Sequence, residues 1–190
     1  MGDFIYLIYF YNMKKNYPLF LVFFILFSNK AFTQIQLDSP EDPFDISGHP
    51  NEEEINQKGY GEVTFIYNNL PKIYKGQFSK SLADGTGVLN YANGDVYEGE
   101  FLDGMIGGQG VFTYINGSVF EAEYINSLMT GHGKLTYASG DVYEGEFVNG
   151  NLHGQGVYRF VSAGVYSGEF RNNQWNGLGI YTYPDGDSYE

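Results

Sequence analysis

The sequence predicts an all-β protein: an elongated antiparallel sheet of stacked β-hairpin repeats, an open single-layer array, preceded by a signal segment and an acidic linker. Three observations carry that expectation. First, the chain repeats every 23 residues, with Tyr74, Tyr97, Phe120, Tyr143, Tyr166 and Tyr189 in register and no insertion or deletion; internal periods of this size mark solenoids and arrays. Second, apolar residues inside each unit recur with period two, as Tyr97, Gly99 and Phe101 alternate with Glu98 and Glu100, the pattern of a half-buried strand. Third, glycines fall at fixed places, in Asn-Gly or Asp-Gly steps and in G-x-G pairs.

Residues 1–33 read as a secretory signal. From Met13 two lysines precede an apolar run from Leu19 to Phe27, then small and polar residues, the order of a cleaved signal peptide. The run is too short for an ordinary span of about 20 residues. Met13 is the expected true start, with cleavage after Thr33 and the product exported to an extracellular, periplasmic or cell-surface location. The alternative is an uncleaved membrane anchor built from Phe4 to Phe27. Removing residues 1–33 takes away three lysines and one aspartate, so the charge moves from −13 to −15.

Residues 34–58 hold three prolines, seven acidic residues and few large apolar groups. That composition cannot bury enough surface to fold alone, so a disordered, solvated linker is expected. A partial repeat follows at 59–73, then full repeats at 74–96, 97–119, 120–142, 143–165 and 166–188, with a sixth beginning at 189–190.

Within a repeat, two strands are expected. Asn93-Gly94, Asn116-Gly117 and Asp185-Gly186 are placed in tight hairpin turns, whose positive φ suits asparagine, aspartate and glycine. The pairs Gly85/Gly87, Gly108/Gly110, Gly131/Gly133, Gly154/Gly156 and Gly177/Gly179 are expected to let a longer connection turn and to leave room for a ring against backbone. Register is strongly specified, because a one-residue slip would move every aromatic to solvent. A lone hairpin is marginal in water, so each unit must bury its aromatic face against the next.

The run YEGEF, then NG, HGxG, a tyrosine and a closing NG or DG turn resembles the MORN (membrane occupation and recognition nexus) repeat. That resemblance implies a string of hairpins serving as a scaffold, a dimerisation element or an appendage on an enzyme, and for some members phospholipid binding. The copy at Phe120 departs from it with Ala122 and Ser127 for glycines, the copy at Tyr166 with Ser167, and the copy at Tyr143 with Ala163 and a late Gly164; looser or kinked units are expected there.

Composition excludes some classes. Ten basic against 23 acidic residues leave no basic stripe to neutralise phosphates, so no nucleic acid is expected as a partner, and the same acidity disfavours a phospholipid surface. Zero cysteines exclude disulfide stapling. His49, His132 and His153 are scattered, with no ligand spacing for a metal. Gly131-His132-Gly133-Lys134-Leu135 lacks the serine or threonine of a phosphate loop. No catalytic group, cofactor or metal is expected, and the chain reads as non-enzymatic.

Two surfaces remain as candidates. Tyr91, Tyr114, Tyr137, Phe160 and Tyr183 recur once per repeat, and either form the stacking core or line a groove for a protein partner; Trp175 is the best candidate for an exposed contact. Glu100, Glu123, Glu146 and Glu169 form an acidic row, expected to be a solvated face or else a site for a cation or a basic partner. Self-association through a sheet edge is the other partner mode, since Tyr189-Glu190 either continues into more sequence or pairs with another chain. The function expected is therefore an exported scaffold or protein-interaction module. The alternatives are a phospholipid-binding module and the regulatory repeats of a larger protein such as a lipid kinase.

Overall fold

The computed structural model describes residues 49–67 and 70–190. The expected signal segment and linker residues 34–48 lie outside the described residues. What is described forms one antiparallel sheet of twelve strands in sequence order. They are β1 (Tyr60–Tyr67), β2 (Leu70–Ser79), β3 (Leu82–Tyr91), β4 (Val96–Leu102), β5 (Met105–Thr113) and β6 (Val119–Ile125), then β7 (Leu128–Thr136), β8 (Val142–Val148), β9 (Asn151–Phe160), β10 (Gly164–Arg171), β11 (Gln174–Thr182) and β12 (Ser188–Tyr189). Each full repeat supplies two strands, and the partial repeat at 59–73 supplies β1 and the start of β2.

The alternation expected from sequence sets the two faces. Tyr74, Tyr97, Phe120, Tyr143 and Tyr166 are buried, as are Phe78, Phe101, Tyr124, Phe147 and Phe170 four residues later. Leu89, Phe112, Leu135, Tyr158 and Tyr181 complete the core from the partner strands. Rings meet edge to face both within a repeat, as Tyr143 and Phe147 at 5.1 Å, and between repeats, as Tyr143 and Phe170 at 4.9 Å. Full burial of a side chain of this size stabilises by roughly 1.5–3 kcal/mol. The repeat therefore holds together only as a stack.

The glycines divide their work differently from the sequence expectation. The tight two-residue turns, with positive φ at both residues, are Lys80-Ser81, Asp103-Gly104, Asn126-Ser127, Asn149-Gly150 and Asn172-Asn173. Asn93-Gly94 lies instead in a four-residue loop where only Gly94 is left-handed, closed by its N–H on the Tyr91 carbonyl at 3.0 Å. That is the geometry of a type I turn followed by a left-handed residue. Asn and Asp tolerate the left-handed region well enough to start a two-residue turn, so glycine is not required twice.

The G-x-G pairs lie within strands, not in a connection. The first glycine is left-handed, as in Gly154 at φ 56°, next to a register shift in the facing strand between Gly145 and Glu146. The second leaves room for a ring, as expected: a Cβ on Gly156 would sit 2.5 Å from the Tyr143 hydroxyl. That hydroxyl donates to the Glu146 carbonyl at 2.9 Å, and Tyr74, Tyr97 and Tyr166 donate equivalently to Gln77, Glu100 and Glu169.

The expectation of a solvated arm up to Lys58 is corrected over its last residues, where Glu52–Lys58 form helix α1. Three glutamates in its first turn and Lys58 in its last complement the helix dipole, and left-handed Gly59 ends it, donating to the Ile55 carbonyl at 2.8 Å. Ile55 is buried against Gly61, where a Cβ would come within 2.7 Å of its side chain. Asn56 takes both polar groups of Ser81: its Oδ1 accepts the N–H and its Nδ2 donates to the hydroxyl, each at 3.0 Å. In later repeats the equivalent amide donates to a backbone carbonyl of the preceding repeat, as Gly104 to Ala83 and Ser127 to Ile106, both at 2.8 Å. Asn56 thus supplies the acceptor that a preceding repeat supplies elsewhere.

Candidate binding faces

The aromatic side carries the row expected from sequence, at its rim and not at its centre. Tyr91, Tyr114, Tyr137 and Phe160 are half-buried, and Tyr183 is exposed. Each leans on a core ring of the next repeat where one exists: Tyr91 on Phe112 at 5.5 Å, Tyr137 on Tyr158 at 5.7 Å, Phe160 on Tyr181 at 6.2 Å. Tyr114 faces a repeat whose residue at that place is Leu135. Its hydroxyl is shut from water and has no hydrogen-bond partner among the described residues, and the same holds for Tyr124. Burial pushes both hydroxyls well above the ordinary tyrosine range, with Asp95 adding to the shift at Tyr114 and neighbouring tyrosines, Tyr114 first, at Tyr124. They stay protonated, ready to donate.

Trp175 does not project as the sequence suggested. It is half-buried and stacked on Tyr166, ring centroids 4.1 Å apart and 6° from parallel. Ile106, Met129 and Leu152 fill the equivalent place in other repeats and are buried. The larger indole finds its room by lying flat on the tyrosine.

The acidic row runs along the opposite face. Glu100 and Glu123 are exposed, Glu146 and Glu169 half-buried. Its members are more than solvated charges, because Glu146 Oε1 accepts the N–H of Gln155 at 2.9 Å and lies over left-handed Gly154. Glu100 and Glu169 lie over Gly108 and Gly177 in the same way, and Gln77 takes this role in the first full repeat, accepting from Thr86 N–H at 2.7 Å. Glu123 differs: nothing lies within 4 Å of a Cβ on Gly131. At Gly108, Gly154 and Gly177 a carboxylate of the row thus fills the bulge left by the first glycine of a G-x-G pair, a link that no spacing rule in the sequence displays.

Sequence reasoning also missed a juxtaposition. His132 and His153 look non-equivalent along the chain, yet both pair with Glu146, from β7 on one side and β9 on the other. The bulge in β9 shifts the register and brings the second histidine opposite. Among the described residues, no group of three such side chains is disposed to hold a metal ion, and no described helix is long and apolar enough to cross a membrane.

Between the strands of the acidic face the paired glycines leave an open trough. Around β7 to β10 it encloses about 610 Å³, with Glu121, Lys134, Glu144 and His132 among its walls and Gly133, Gly145 and Gly156 on its floor. A second stretch of about 460 Å³ continues it over Gly110 towards Glu98.

A search of the curated proteins gave no match to the chain. The model of the MORN repeat matches it five times in succession, at residues 74–96, 97–119, 120–142, 143–165 and 166–188. Those are the boundaries at which the strand pairs, the buried tyrosines and the G-x-G bulges recur, and the chain belongs to the MORN repeat family.

Proposed function

We propose that this chain is an exported, non-enzymatic scaffold that engages a partner protein through the aromatic rim of its array. MORN repeats are generally non-catalytic modules for protein or membrane-lipid interaction. The observation that carries the protein reading is the rim itself, a row of half-buried rings at Tyr91, Tyr114, Tyr137 and Phe160 with Tyr183 exposed. The solvent-facing parts of these rings supply apolar contact to a bound protein.

A phospholipid surface suits the array less well. The chain carries −13, and Lys75, Lys134 and Arg159 are already engaged with Glu62, Glu121 and Glu144 at 3.6–3.8 Å. Export rests on the order of residues from Met13 to Gln34.

The test replaces Tyr114 with a photo-crosslinking phenylalanine analogue in the native host and identifies the captured protein by mass spectrometry. A discrete adduct that Tyr91→Ala or Tyr137→Ala prevents from forming in the purified pair supports the reading. Flotation of the purified protein with anionic vesicles, and no adduct, replaces it with the lipid reading. N-terminal sequencing of the exported product is expected to begin at Gln34; retention of residues 13–33 in a membrane fraction would favour the anchor.

A further inference from the structure

The face opposite the aromatic core repeats one outward triplet on three strands. Glu98, Glu100 and Leu102 point outward from β4; Glu121, Glu123 and Ile125 from β6; Glu144, Glu146 and Val148 from β8. The three apolar members are large and open to solvent, at 63%, 56% and 42% exposure. They form a stripe beside the tight turns, with one residue per repeat. Two strand spacings separate neighbours, so the stripe steps about 10 Å at a time.

Next to the stripe, three residues back along each strand, lies the glycine-floored trough. Three residues of strand cover about 10 Å. The walls of the trough carry the glutamates. Lys134 reaches Glu121 at 3.8 Å and Arg159 reaches Glu144 at 3.6 Å, but these pairs are about half exposed and hold little energy. The wall stays acidic, since Glu98, Glu121 and Glu144 all line it and Glu98 makes no ion pair among the described residues.

We propose that this outer face docks a basic amphipathic α-helix of a partner protein, laid along the axis of the array. Its apolar residues contact Leu102, Ile125 and Val148, and its lysines or arginines reach into the acidic trough. The spacing selects a helix. Residues seven apart on a helix lie about 10.5 Å apart on one face, close to the step of the stripe. In an extended strand, residues about 10 Å apart are three positions apart and point to opposite faces. The width agrees as well, since a helix about 10–12 Å across spans the distance from stripe to trough.

Charge selects the sign of the partner. A second copy of this chain would set glutamate against glutamate, and an anionic membrane or a nucleic acid would meet the same repulsion. A helix rich in lysine or arginine is drawn in by the field and fixed by the apolar stripe. This surface is distinct from the aromatic rim, so the two readings stand or fall separately.

The experiment uses the whole chain and a fluorescein-labelled synthetic helix of leucine and lysine, with leucines at heptad spacing. The controls are a scrambled peptide of the same composition and a leucine and glutamate counterpart. Fluorescence anisotropy is expected to show saturable binding of the heptad peptide, weakening with salt. Leu102→Ser/Ile125→Ser/Val148→Ser and, separately, Glu98→Gln/Glu121→Gln/Glu144→Gln are each expected to weaken it at least about tenfold, while Val161→Ser, an exposed apolar residue in the loop between β9 and β10 and away from the stripe, leaves it unchanged. Near-ultraviolet circular dichroism establishes that each variant keeps its aromatic core, and the single change Leu102→Ser, expected to weaken binding about threefold, serves if the triple variant fails to fold. Equal binding of the scrambled or the glutamate peptide, unchanged binding by the stripe variants, or loss of binding in Val161→Ser would overturn the proposal.

Discussion

The methyl group of Ala122 stands where the other repeats have glycine, and the ring two residues before it, Phe120, is the one member of its row without a hydroxyl. In the neighbouring repeat a Cβ on Gly99 would lie 2.5 Å from the Tyr97 hydroxyl. The two departures therefore compensate each other, and the third repeat keeps its strand pairing through β6 and β7. The expectation of a looser unit there does not account for this fit.

Phe120→Tyr is expected to lower stability by about 1–3 kcal/mol, because the added hydroxyl is driven against the Ala122 methyl in a packed core. Adding Ala122→Gly should recover most of that loss, although Ala122→Gly alone is mildly destabilising. Urea unfolding of the four proteins in a double-mutant cycle measures the coupling, and additive effects would count against the steric link.

A second compensated pair joins the four-residue loops. Asp95 Oδ1 accepts the N–H of Ile115 at 2.8 Å, Ser118 Oγ that of Ala138 at 3.1 Å, and Asp141 Oδ1 that of Val161 at 2.9 Å. At the next step the acceptor position is Gly164 and the donor position Pro184, which has no N–H. Asp141→Ala should cost about 1 kcal/mol, whereas Pro184→Ala should stay within about 0.5 kcal/mol. Thermal melts of the two variants decide it.

Helix α1 should protect the first repeat and little else. Ile55→Ala removes the one buried side chain of the helix and is expected to cost about 2–3 kcal/mol locally; Asn56→Ala should cost about 1 kcal/mol through the lost bonds to Ser81. Hydrogen exchange should speed up in β1, β2 and the Ser81 turn, with β8 to β10 unchanged. Uniform acceleration along the whole array would contradict a local cap.

Alkaline pH should unfold the array. Burial, the leading cause, raises the hydroxyls of Tyr74, Tyr97, Tyr143 and Tyr158 above their ordinary value near 10; adjacent acidic charges add to it at Tyr97, Tyr143 and Tyr158. The folded state then holds these protons more tightly than the unfolded state. Their contribution is fully present below about pH 10 and is lost as pH rises above it. Phenolate absorbance should rise together with the loss of near-ultraviolet circular dichroism; early ionisation of these tyrosines in a still-folded array would contradict the burial argument.

Local pattern was enough to determine the period, the two strands per unit, the aromatic and acidic faces and the register, because a period-two strand can bury only one set of its residues and a shift of one exposes them all. That is why Tyr97 and Glu98 could be assigned to opposite faces from sequence. Only the tertiary structure decided which glycines bend the chain and which admit a ring, since Asn149-Gly150 and Asn93-Gly94 are the same dipeptide in two different turns. The flanking of Glu146 by His132 and His153 depended on a bulge that no spacing shows. Trp175 lay flat because Tyr166 offered a ring to lie on. Helix α1 escaped the sequence because seven residues with one apolar side chain carry no period, and its reason for folding, the Ser81 turn, is 25 residues away.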